Sequence, residues 1–338
     1  MTMRTVKPRS AAGGPAAGSP ATEGPAARGR AARRPARARV LVAVVALAAG
    51  ALGAGTSQGA TERVAAAPRL APAAPADSGC DMRSLPPSTY EGGSKVQAIK
   101  KAGKLVVGVD QNSYHWGFRN PQTGRIEGFD IDLARAVAKS ILGDPDKITF
   151  KTVPTARRIE AVKNGEVDLI TRTMTITCDR LTQISFSAPY FSSGQRLVVP
   201  KAAKVTSVAQ GLKGRRACVA DQSSSQTELA RNSRGAASVK VVENQLDCLV
   251  LMQLGQVDAT LTDTVLAAAQ TSQDPTVEMA GETIAPAFMG IAMKKEDTDL
   301  VARVNQVLAD YRADGGWQDS YNRWLAPSMG VSSAQYLP

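Results

Sequence analysis

The sequence predicts an α/β protein built from two similar lobes, and three observations carry this prediction. From residue 94 onward, short β-branched apolar segments alternate with amphipathic segments of helical period, a pattern typical of parallel sheets with helices on their faces. The segments EVDLI (166–170) and QVDAT (256–260) each follow a helix and a turn, so they hold the same place in two successive units. The length of 338 residues suits two domains of ordinary size once a targeting segment is set aside.

The net charge of +11 is concentrated at the N-terminus. Residues 1–39 contain nine Lys or Arg and one acid, for +8, which leaves +3 for the rest of the chain. This distribution gives no support to a nucleic-acid-binding fold, and we expect no nucleic-acid partner. Residues 1–39 are rich in Ala, Gly, Pro and Arg without apolar periodicity, so we expect them to be disordered.

An uncharged segment follows at residues 40–61, and its first part, VLVAVVALAAGALGA, is strongly apolar. Basic residues before it and small residues after it predict either a secretory signal or a membrane anchor. Both interpretations place the rest of the chain outside the cell membrane, tethered or released. An Ala- and Pro-rich linker containing Cys80 occupies residues 62–93.

Export determines how the cysteines are interpreted. In an oxidising compartment, four cysteines predict two disulfides, for which three connectivities exist. The four are Cys80, Cys178, Cys218 and Cys248. They form no CxxC pair and the single histidine, His115, has no cysteine near it, so we expect no structural zinc site.

The first half of the folded region alternates helices and strands in short steps. A helix ends at Gly103, and a helix at 128–143 carries Asp130 at the position of an N-cap. The predicted strands are 105–110, 148–153 and 166–170, and a further helix covers 156–163. The loop at 111–128 contains four aromatic rings within five residues, which either close the loop over its own core or form the wall of a ligand pocket.

Residues 168–180, DLITRTMTITCDR, are the strongest candidate for a binding segment. Threonines recur at every second position from Thr171 to Thr177, which on an extended chain places them on one face. Arg180 follows, and a guanidinium beside hydroxyls and free backbone N–H groups suits a carboxylate. The alternative is an edge strand with a threonine-covered solvent face.

The second half repeats the alternation. Extended segments at 185–191 and 195–201 precede a strand at 215–220, after which Ser223, Ser224 and Ser225 open a helix. A helix N-terminus with hydroxyls is either an anion site or a plain serine cap. The remaining predicted elements are strands at 239–244, 256–263 and 285–295, and helices at 246–255, 299–315 and 316–325. The last helix buries Trp317, Tyr321 and Trp324.

Six segments in this order resemble the family 3 extracellular solute-binding proteins, the polar amino-acid receptors of bacterial ABC importers. They are GKLVVGVD, GFDIDLARAVAK, NGEVDLITRTMTITCDR, ISFSAPYF, VDATLTD and DGGWQDSYNRWL, and the likeness covers residues 94–326. The similarity is greatest to the actinobacterial glutamine/glutamate-binding branch. It implies a type II periplasmic-binding-protein fold, in which two crossover strands join two α/β lobes and the ligand cleft lies between them. Lobe 1 would comprise 94–194 and 289–326, lobe 2 would comprise 195–288, and 327–338 would form a tail.

The resemblance also implies a set of ligand contacts. The carboxylate of an amino acid would bind Arg180, the backbone N–H of Thr175 and an N–H near Ser224 and Ser225. The ammonium would bind the carbonyl of Thr173, the hydroxyl of Thr175 and the carboxylate of Asp263. A ligand held from both lobes stabilises the closed form over the open one.

Residues for side-chain selectivity follow from the same resemblance. Tyr114, Trp116 and Thr155 match positions of the pocket wall, and Arg172 matches a position that could meet an acidic side chain. Asp221 occupies a place where relatives that bind glutamate or glutamine tend to carry Lys or Arg, and this departure argues against glutamate itself, while asparagine, glutamine, aspartate and basic ligands stay open.

The disulfide pairing implied by the resemblance joins Cys218 to Cys248 and Cys80 to Cys178. The implied function is a monomeric, non-catalytic exported receptor without cofactor that delivers an amino acid to an ABC permease. One alternative is an amino-acid sensor that signals through a membrane partner protein to a kinase pathway. The other is a dehydratase-type enzyme on the same fold, against which we find no paired carboxylate and histidine near the predicted pocket.

Overall fold

The computed structural model describes residues 79–338. The predicted basic segment 1–39, the signal or anchor at 40–61 and residues 62–78 of the linker therefore lie outside the described residues. Within residues 79–338, none of the helices combines the length and apolar character needed to cross a bilayer.

The described chain alternates short strands and helices. The strands are β1 (Leu105–Val109), β2 (Asn112–Ser113), β3 (Gly117–Arg119), β4 (Ile126–Glu127), β5 (Ile148–Thr152), β6 (Leu169–Ile170), β7 (Ser185–Phe186), β8 (Phe191–Pro200), β9 (Arg216–Ala220), β10 (Ser238–Val242), β11 (Ala259–Asp263), β12 (Val277–Met289) and β13 (Ala292–Met293). The α-helices are α1 (Ser94–Ala102), α2 (Phe129–Leu142), α3 (Arg158–Lys163), α4 (Cys178–Gln183), α5 (Val208–Leu212), α6 (Ser224–Arg231), α7 (Gln245–Gln253), α8 (Thr264–Gln273), α9 (Thr298–Ala313), α10 (Gly316–Trp324) and α11 (Ala326–Met329). Short 3-10 helices cover Thr155–Arg157 and Lys201–Ala203.

Two five-stranded sheets form the centres of two lobes. The first sheet has the order β5-β1-β6-β13-β7, with β1 parallel to β5 and β6, and β13 antiparallel to its neighbours. The second has the order β10-β9-β11-β8-β12, with β9 parallel to β10 and β11. The predicted α/β fold with two lobes is confirmed, and we name the lobes after their sheets.

The long strands β8 and β12 connect the lobes. They pair antiparallel from Phe191 opposite Met289 at one end to Val277 opposite Pro200 at the other. The register shifts twice, on either side of Ile284. Because each strand begins or ends beside the first lobe and continues into the second sheet, the chain crosses between the lobes at this ladder.

An aromatic cluster lies where the first lobe meets these crossover strands. Phe191, Phe129 and Trp317 pack with ring centroids 5.7–5.8 Å apart, and Tyr321 stacks on Trp317 at 5.5 Å. The predicted burial of Trp317 and Tyr321 is confirmed. Trp324, also predicted to be buried, is only half-buried, and its indole N–H donates to the partly exposed carboxylate of Asp132 at 2.8 Å.

Three local predictions are wrong. Asp130 does not cap α2: Gly128 holds that position with φ 132°, and Asp130 is the second residue of the helix. The threonine run after β6 is not an extended strand, because Thr173 has a left-handed backbone with φ 42°. The predicted strand 285–295 is divided, since β12 ends at Met289 and β13 begins at Ala292.

Both disulfides have the pairing that the resemblance implied. Cys218 in β9 joins Cys248 in α7 inside the second lobe. Cys80 joins Cys178 at the start of α4. The second bridge attaches the segment before α1 to the short helix that carries Arg180.

The C-terminal segment packs against the crossover. Tyr336 stacks on Phe191 with ring centroids 5.2 Å apart, and its carbonyl accepts a 2.7 Å bond from the N–H of Ser192. The end of the chain therefore reaches the beginning of β8.

Candidate functional site

A small polar cavity lies between the two lobes, at the ends of β1, β6 and β11 and at the start of α6. Its volume is about 20 Å³. The residues that line it are Asp110, Thr155, Arg158, Arg172, Thr173, Thr175, Arg180, Ala220, Ser223, Ser224, Ser225, Gln245, Thr262, Asp263 and Leu266. We call it the inner cavity. By this measure one water molecule needs about 10–15 Å³, so the lobes are drawn closely together here.

Arg180 reaches across the inner cavity from the first lobe to the second. The hydroxyl of Thr177 caps α4 by accepting the backbone N–H of Arg180 at 3.3 Å. The Arg180 side chain then extends from the first turn of this helix into the cavity. One guanidinium nitrogen donates to the carbonyl of Thr175 at 2.7 Å, and the other donates to the carbonyl of Gln222 at 3.0 Å. The arginine is 6% exposed, and burial lowers the pKa of its guanidinium.

The threonine segment forms the first-lobe wall of the inner cavity. Thr173 and Thr175 are both buried, and the N–H of Thr173 donates to the carboxylate of Asp130 at 2.8 Å. The hydroxyl of Thr175 lies 3.3 Å from that of Ser224 on the opposite lobe. The left-handed turn at Thr173 therefore brings a wall of backbone and hydroxyl groups towards α6.

The second-lobe wall is the N-terminus of α6. Ser223 caps the helix by accepting the N–H of Gln226 at 3.1 Å, while Ser225 donates to the side-chain oxygen of Gln195. The amide nitrogen of Gln195 in turn donates to Ser224 at 3.1 Å and to Asp263 at 2.7 Å. Gln195 thus holds the serine cluster and the buried acid in one network.

Asp263 ends β11 with a carboxylate that is 7% exposed. Burial raises its pKa to about 6, although Arg180, Arg158 and the bond from Gln195 act in the opposite direction. An acid whose ionised form is destabilised in this way gains from the arrival of a cation.

A second group of buried charges belongs to the first lobe. Arg172 forms an ion pair with Asp110 at 3.1 Å and donates to the hydroxyl of Thr155 at 3.0 Å. Arg158 donates to the carbonyls of Thr155 at 3.0 Å and Arg172 at 3.3 Å. Burial, together with the neighbouring arginines, lowers the pKa of Arg158 well below its usual range.

Three arginines and two aspartates therefore line the inner cavity. Arg172 is paired with Asp110, which leaves Arg158 and Arg180 against Asp263. A cavity with this balance carries an excess positive charge, and it suits a ligand with at least one carboxylate.

Three residues predicted from the sequence lie elsewhere. Trp116 is 1% exposed and packs edge-on against Phe191 in the aromatic cluster. Tyr114 stacks on His115 with ring centroids 3.8 Å apart. Asp221 precedes α6 without lining the inner cavity, and its N–H donates to the carbonyl of Val242. The aromatic loop thus closes over its own core, the first of its two predicted alternatives.

Five polar residues of the site, Asp110, Arg158, Gln195, Gln245 and Thr262, were not predicted from the sequence. Asp110 directly follows β1 and Asp263 is the last residue of β11, so an acid at the end of a buried strand was a usable signal. Arg158 and Gln245 begin helices, and Gln195 lies inside the uniform crossover strand. Periodicity says nothing about which of these side chains turns towards the opposite lobe.

A wider chamber of about 650 Å³ opens beside the inner cavity. Thr175, Arg180 and Ser224 line both spaces, while Met82 and Gln183 belong to the chamber only. The chamber is larger, but the paired charges lie in the inner cavity.

Comparison with known proteins agrees with this arrangement of lobes and cleft. The sequence profile of the "Bacterial extracellular solute-binding proteins, family 3" matches residues 105–327. The chain belongs to this family.

Several relatives have assigned ligands. The ABC transporter glutamine-binding protein GlnH of Bacillus subtilis is 36% identical over 228 residues, which is 68% of this chain and 83% of that protein. The glutamine-binding protein of Geobacillus stearothermophilus is 41% identical over 211 residues, or 62% and 79% of the two chains. The glutamate-binding protein GluB of Corynebacterium glutamicum is 27% identical over 72% of this chain and 84% of its own length.

Solved structures of solute-binding proteins also resemble this fold over most of their own length. A solute receptor for L-cysteine of Neisseria gonorrhoeae superposes with a TM-score of 0.68 at 28% identity and covers 72% of this chain and 99% of its own. An ancestral arginine-binding protein bound to glutamine gives a TM-score of 0.61 at 34% identity, with 66% and 98% coverage. The type II periplasmic-binding-protein fold is confirmed by these likenesses.

Proposed function

We propose that this protein captures a polar amino acid of the glutamine, glutamate, asparagine and aspartate class between its lobes and delivers it to an ABC importer. The observation that carries the proposal is the burial of Arg180 and Asp263 on opposite sides of one interlobe cavity. A zwitterion supplies the carboxylate that the arginine suits and the ammonium that stabilises the ionised acid. The glutamine- and glutamate-binding relatives support the same class.

The charge balance favours an anionic side chain within this class. An amino-acid main chain is neutral overall, so it leaves the excess positive charge of Arg158 in place. A side-chain carboxylate offsets that charge, with Arg158 or Arg172 as its partner. Asp221 does not line the inner cavity, so it is no argument against glutamate.

Closure of the lobes on the ligand is the proposed mechanism. Arg180 already contacts the carbonyl of Gln222, and Thr175 already contacts Ser224, across the cleft. A ligand that binds these groups from both lobes stabilises the closed form over the open one. The size of this stabilisation depends on the ligand contacts that exist only in the closed form. We place the lobe boundaries at residues 94–194 with 289–326, and at 195–288.

The membrane partner is the second element of the proposal. We propose that residues 40–61 direct export and either anchor the chain or are cleaved, and that the protein acts as a monomer. The Cys80–Cys178 bridge attaches the segment before α1, which follows residues 40–61 in the chain, to the start of α4 beside the cleft. This attachment also suits the alternative role, in which a membrane sensor partner detects closure and signals to a kinase pathway.

Membership of a solute-binding family supports a binding protein rather than an enzyme. His115, the single histidine, stacks with Tyr114 and Phe118 and does not line the inner cavity. Within residues 79–338, no group of three or more acidic, histidine or cysteine side chains is placed to hold a metal ion.

A thermal-shift screen of the purified protein against the twenty amino acids tests the proposal. We expect the largest stabilisation with glutamate or aspartate and smaller shifts with their amides, because binding to the native state alone raises the melting temperature. Isothermal titration of the strongest ligand then gives its affinity. A panel without any shift at millimolar concentration would refute amino-acid binding.

A further inference from the structure

Asp130 is a fully buried acid whose position the cleft does not explain. It lies in the first turn of α2, is 2% exposed, and lines neither the inner cavity nor the outer chamber. Acidic side chains are almost never buried to this extent unless they are paired. Because Asp130 does not cap the helix, its burial has another cause.

The carboxylate of Asp130 joins two distant segments. One oxygen accepts the backbone N–H of Thr173 at 2.8 Å, and the other accepts the hydroxyl of Tyr190 at 2.8 Å. Thr173 is part of the first-lobe wall of the inner cavity. Tyr190 directly precedes β8, the first crossover strand, and is itself fully buried.

Thr173 requires such a restraint. A β-branched residue with φ 42° lies in the left-handed region, a strained conformation that persists only where the surroundings impose it. The bond from its N–H to Asp130 supplies that constraint from behind the cavity wall. Without it, we expect the backbone to relax to negative φ, which would change how Thr173 lines the inner cavity.

We propose that Asp130 is a positioning residue of the amino-acid site, which holds Thr173 in its left-handed conformation and couples it to the crossover strand through Tyr190. This inference rests on the proposed function, because positioning matters only if the inner cavity binds the ligand. It assigns Asp130 no contact with the ligand.

Asp130 also makes this positioning sensitive to pH. The groups that face it are Tyr190 and Thr173, which donate hydrogen bonds, and the charges of Asp110 and Arg172. Burial raises the pKa of Asp130 to about 7, and the two hydrogen bonds oppose that rise. The ionised carboxylate accepts both bonds, and charge-assisted bonds are roughly twice as strong as neutral ones. We therefore expect the restraint on Thr173, and with it the affinity, to weaken as pH falls through about 7.

The test compares Asp130→Ala and Asp130→Asn with the wild type by isothermal titration at pH 8 and pH 6. The probes are L-glutamate, L-glutamine, L-aspartate and L-asparagine. Asp132→Asn is the matched control, because Asp132 lies on the same helical turn and accepts bonds from Ser320 and Trp324 instead. If Asp130 only stabilised the fold, its replacement and that of Asp132 would both lower the free energy of unfolding and leave the affinity unchanged.

We expect Asp130→Ala to weaken binding at pH 8 by about tenfold or more, equivalent to about 1.4 kcal/mol. Asp132→Asn should keep wild-type affinity while unfolding at lower denaturant concentration. Asp130→Asn keeps an acceptor for the Thr173 N–H but does not titrate. It should therefore bind well at pH 8 and lose less affinity than the wild type between pH 8 and pH 6, where the titration of Asp263 still contributes.

Two results would overturn the inference. One is a folded Asp130→Ala protein that binds with wild-type affinity. Where Asp130→Ala does not fold, the deciding result is an Asp130→Asn pH profile parallel to that of the wild type. Both leave the proposed function intact, since the wild type still binds. Absence of binding by the wild type would instead overturn the proposed function and this inference with it.

Discussion

Replacement of Asp263 by asparagine should have opposite effects on ligand affinity and on the stability of the unliganded protein. The asparagine keeps the shape and the acceptor for Gln195, but it removes the charge that faces the proposed ligand ammonium. Breaking a buried ion pair from one side costs about 3–5 kcal/mol, or roughly 100- to 4,000-fold in Kd. Isothermal titration of the variant against the wild type measures this loss directly.

The stability effect follows from the pKa of Asp263, which burial raises from 3.8 to about 6. An acid with a raised pKa in the folded state takes up a proton on folding, so stability falls as pH rises from about 4 to about 6 and stays low above it. At about 1.4 kcal/mol per pKa unit, the ionised group costs on the order of 3 kcal/mol at neutral pH, with the attraction of Arg180 and Arg158 already included. The neutral asparagine avoids that cost.

We therefore expect Asp263→Asn without ligand to resist urea better than the wild type at pH 7.5, and this advantage should vanish near pH 4. Asp258→Asn is the control, because Asp258 directly precedes the same strand but pairs with Arg216 at the surface. Arg216 lowers the pKa of Asp258 to about 2, so this carboxylate stabilises the fold and its loss should weaken stability without changing affinity. An Asp263→Asn protein with wild-type affinity, or with reduced stability at pH 7.5, would refute the placement of this charge.

Three further predictions concern the cleft, the bridge beside it and the C-terminal segment. Arg180→Ala should weaken amino-acid binding by about 3–5 kcal/mol, since it leaves the ligand carboxylate unpaired, and near-wild-type affinity by calorimetry would contradict the assignment. The oxidised protein should show no free thiols in a thiol assay, and two or more free thiols would reject the pairing. The double variant Cys80→Ser with Cys178→Ser should have a free energy of unfolding in urea lower by about 2–4 kcal/mol. Tyr336→Ala should lower the free energy of unfolding by roughly 1–2 kcal/mol, because it removes the stacking on Phe191. An unchanged unfolding midpoint would show that this C-terminal contact does not stabilise the fold.

Much of the fold could be predicted from short-range patterns. The strand at Leu105–Val109 and the helix at Ser94–Ala102 follow from apolar runs and a glycine stop, and both are observed within a residue or two. The same reasoning assigned Asp130 to the N-cap position, because capping rules use only the residues near the start of a helix. They contain no information about Thr173, the partner of Asp130 that lies 43 residues away in sequence. The left-handed turn at Thr173 was invisible for a related reason, since its strain is imposed by distant contacts.

The candidate site divides in the same way. Arg180, Asp263, Thr173, Thr175 and the serines of α6 were singled out from the sequence, and the structure brings them to one cavity. Local patterns marked Arg180, the threonine run and the serine-rich helix start one by one, and the expectation that they meet Asp263 at one ligand came from the family resemblance. The aromatic loop was ambiguous, since the same rings suit a pocket wall or a local core, and packing around Trp116 and Phe191 selected the core.

By itself the sequence determined the α/β alternation, the repeated halves, the four cysteines and the polar groups at the ends of strands, because these depend on local period and residue chemistry. Only the tertiary structure decided which charges face one another. It paired Arg172 with Asp110, left Arg158 without an acid among its hydrogen-bond partners, and placed Asp130 behind Thr173 in the wall of the inner cavity. Such pairings join residues tens of positions apart, and their energies depend on burial that exists only after both lobes have folded.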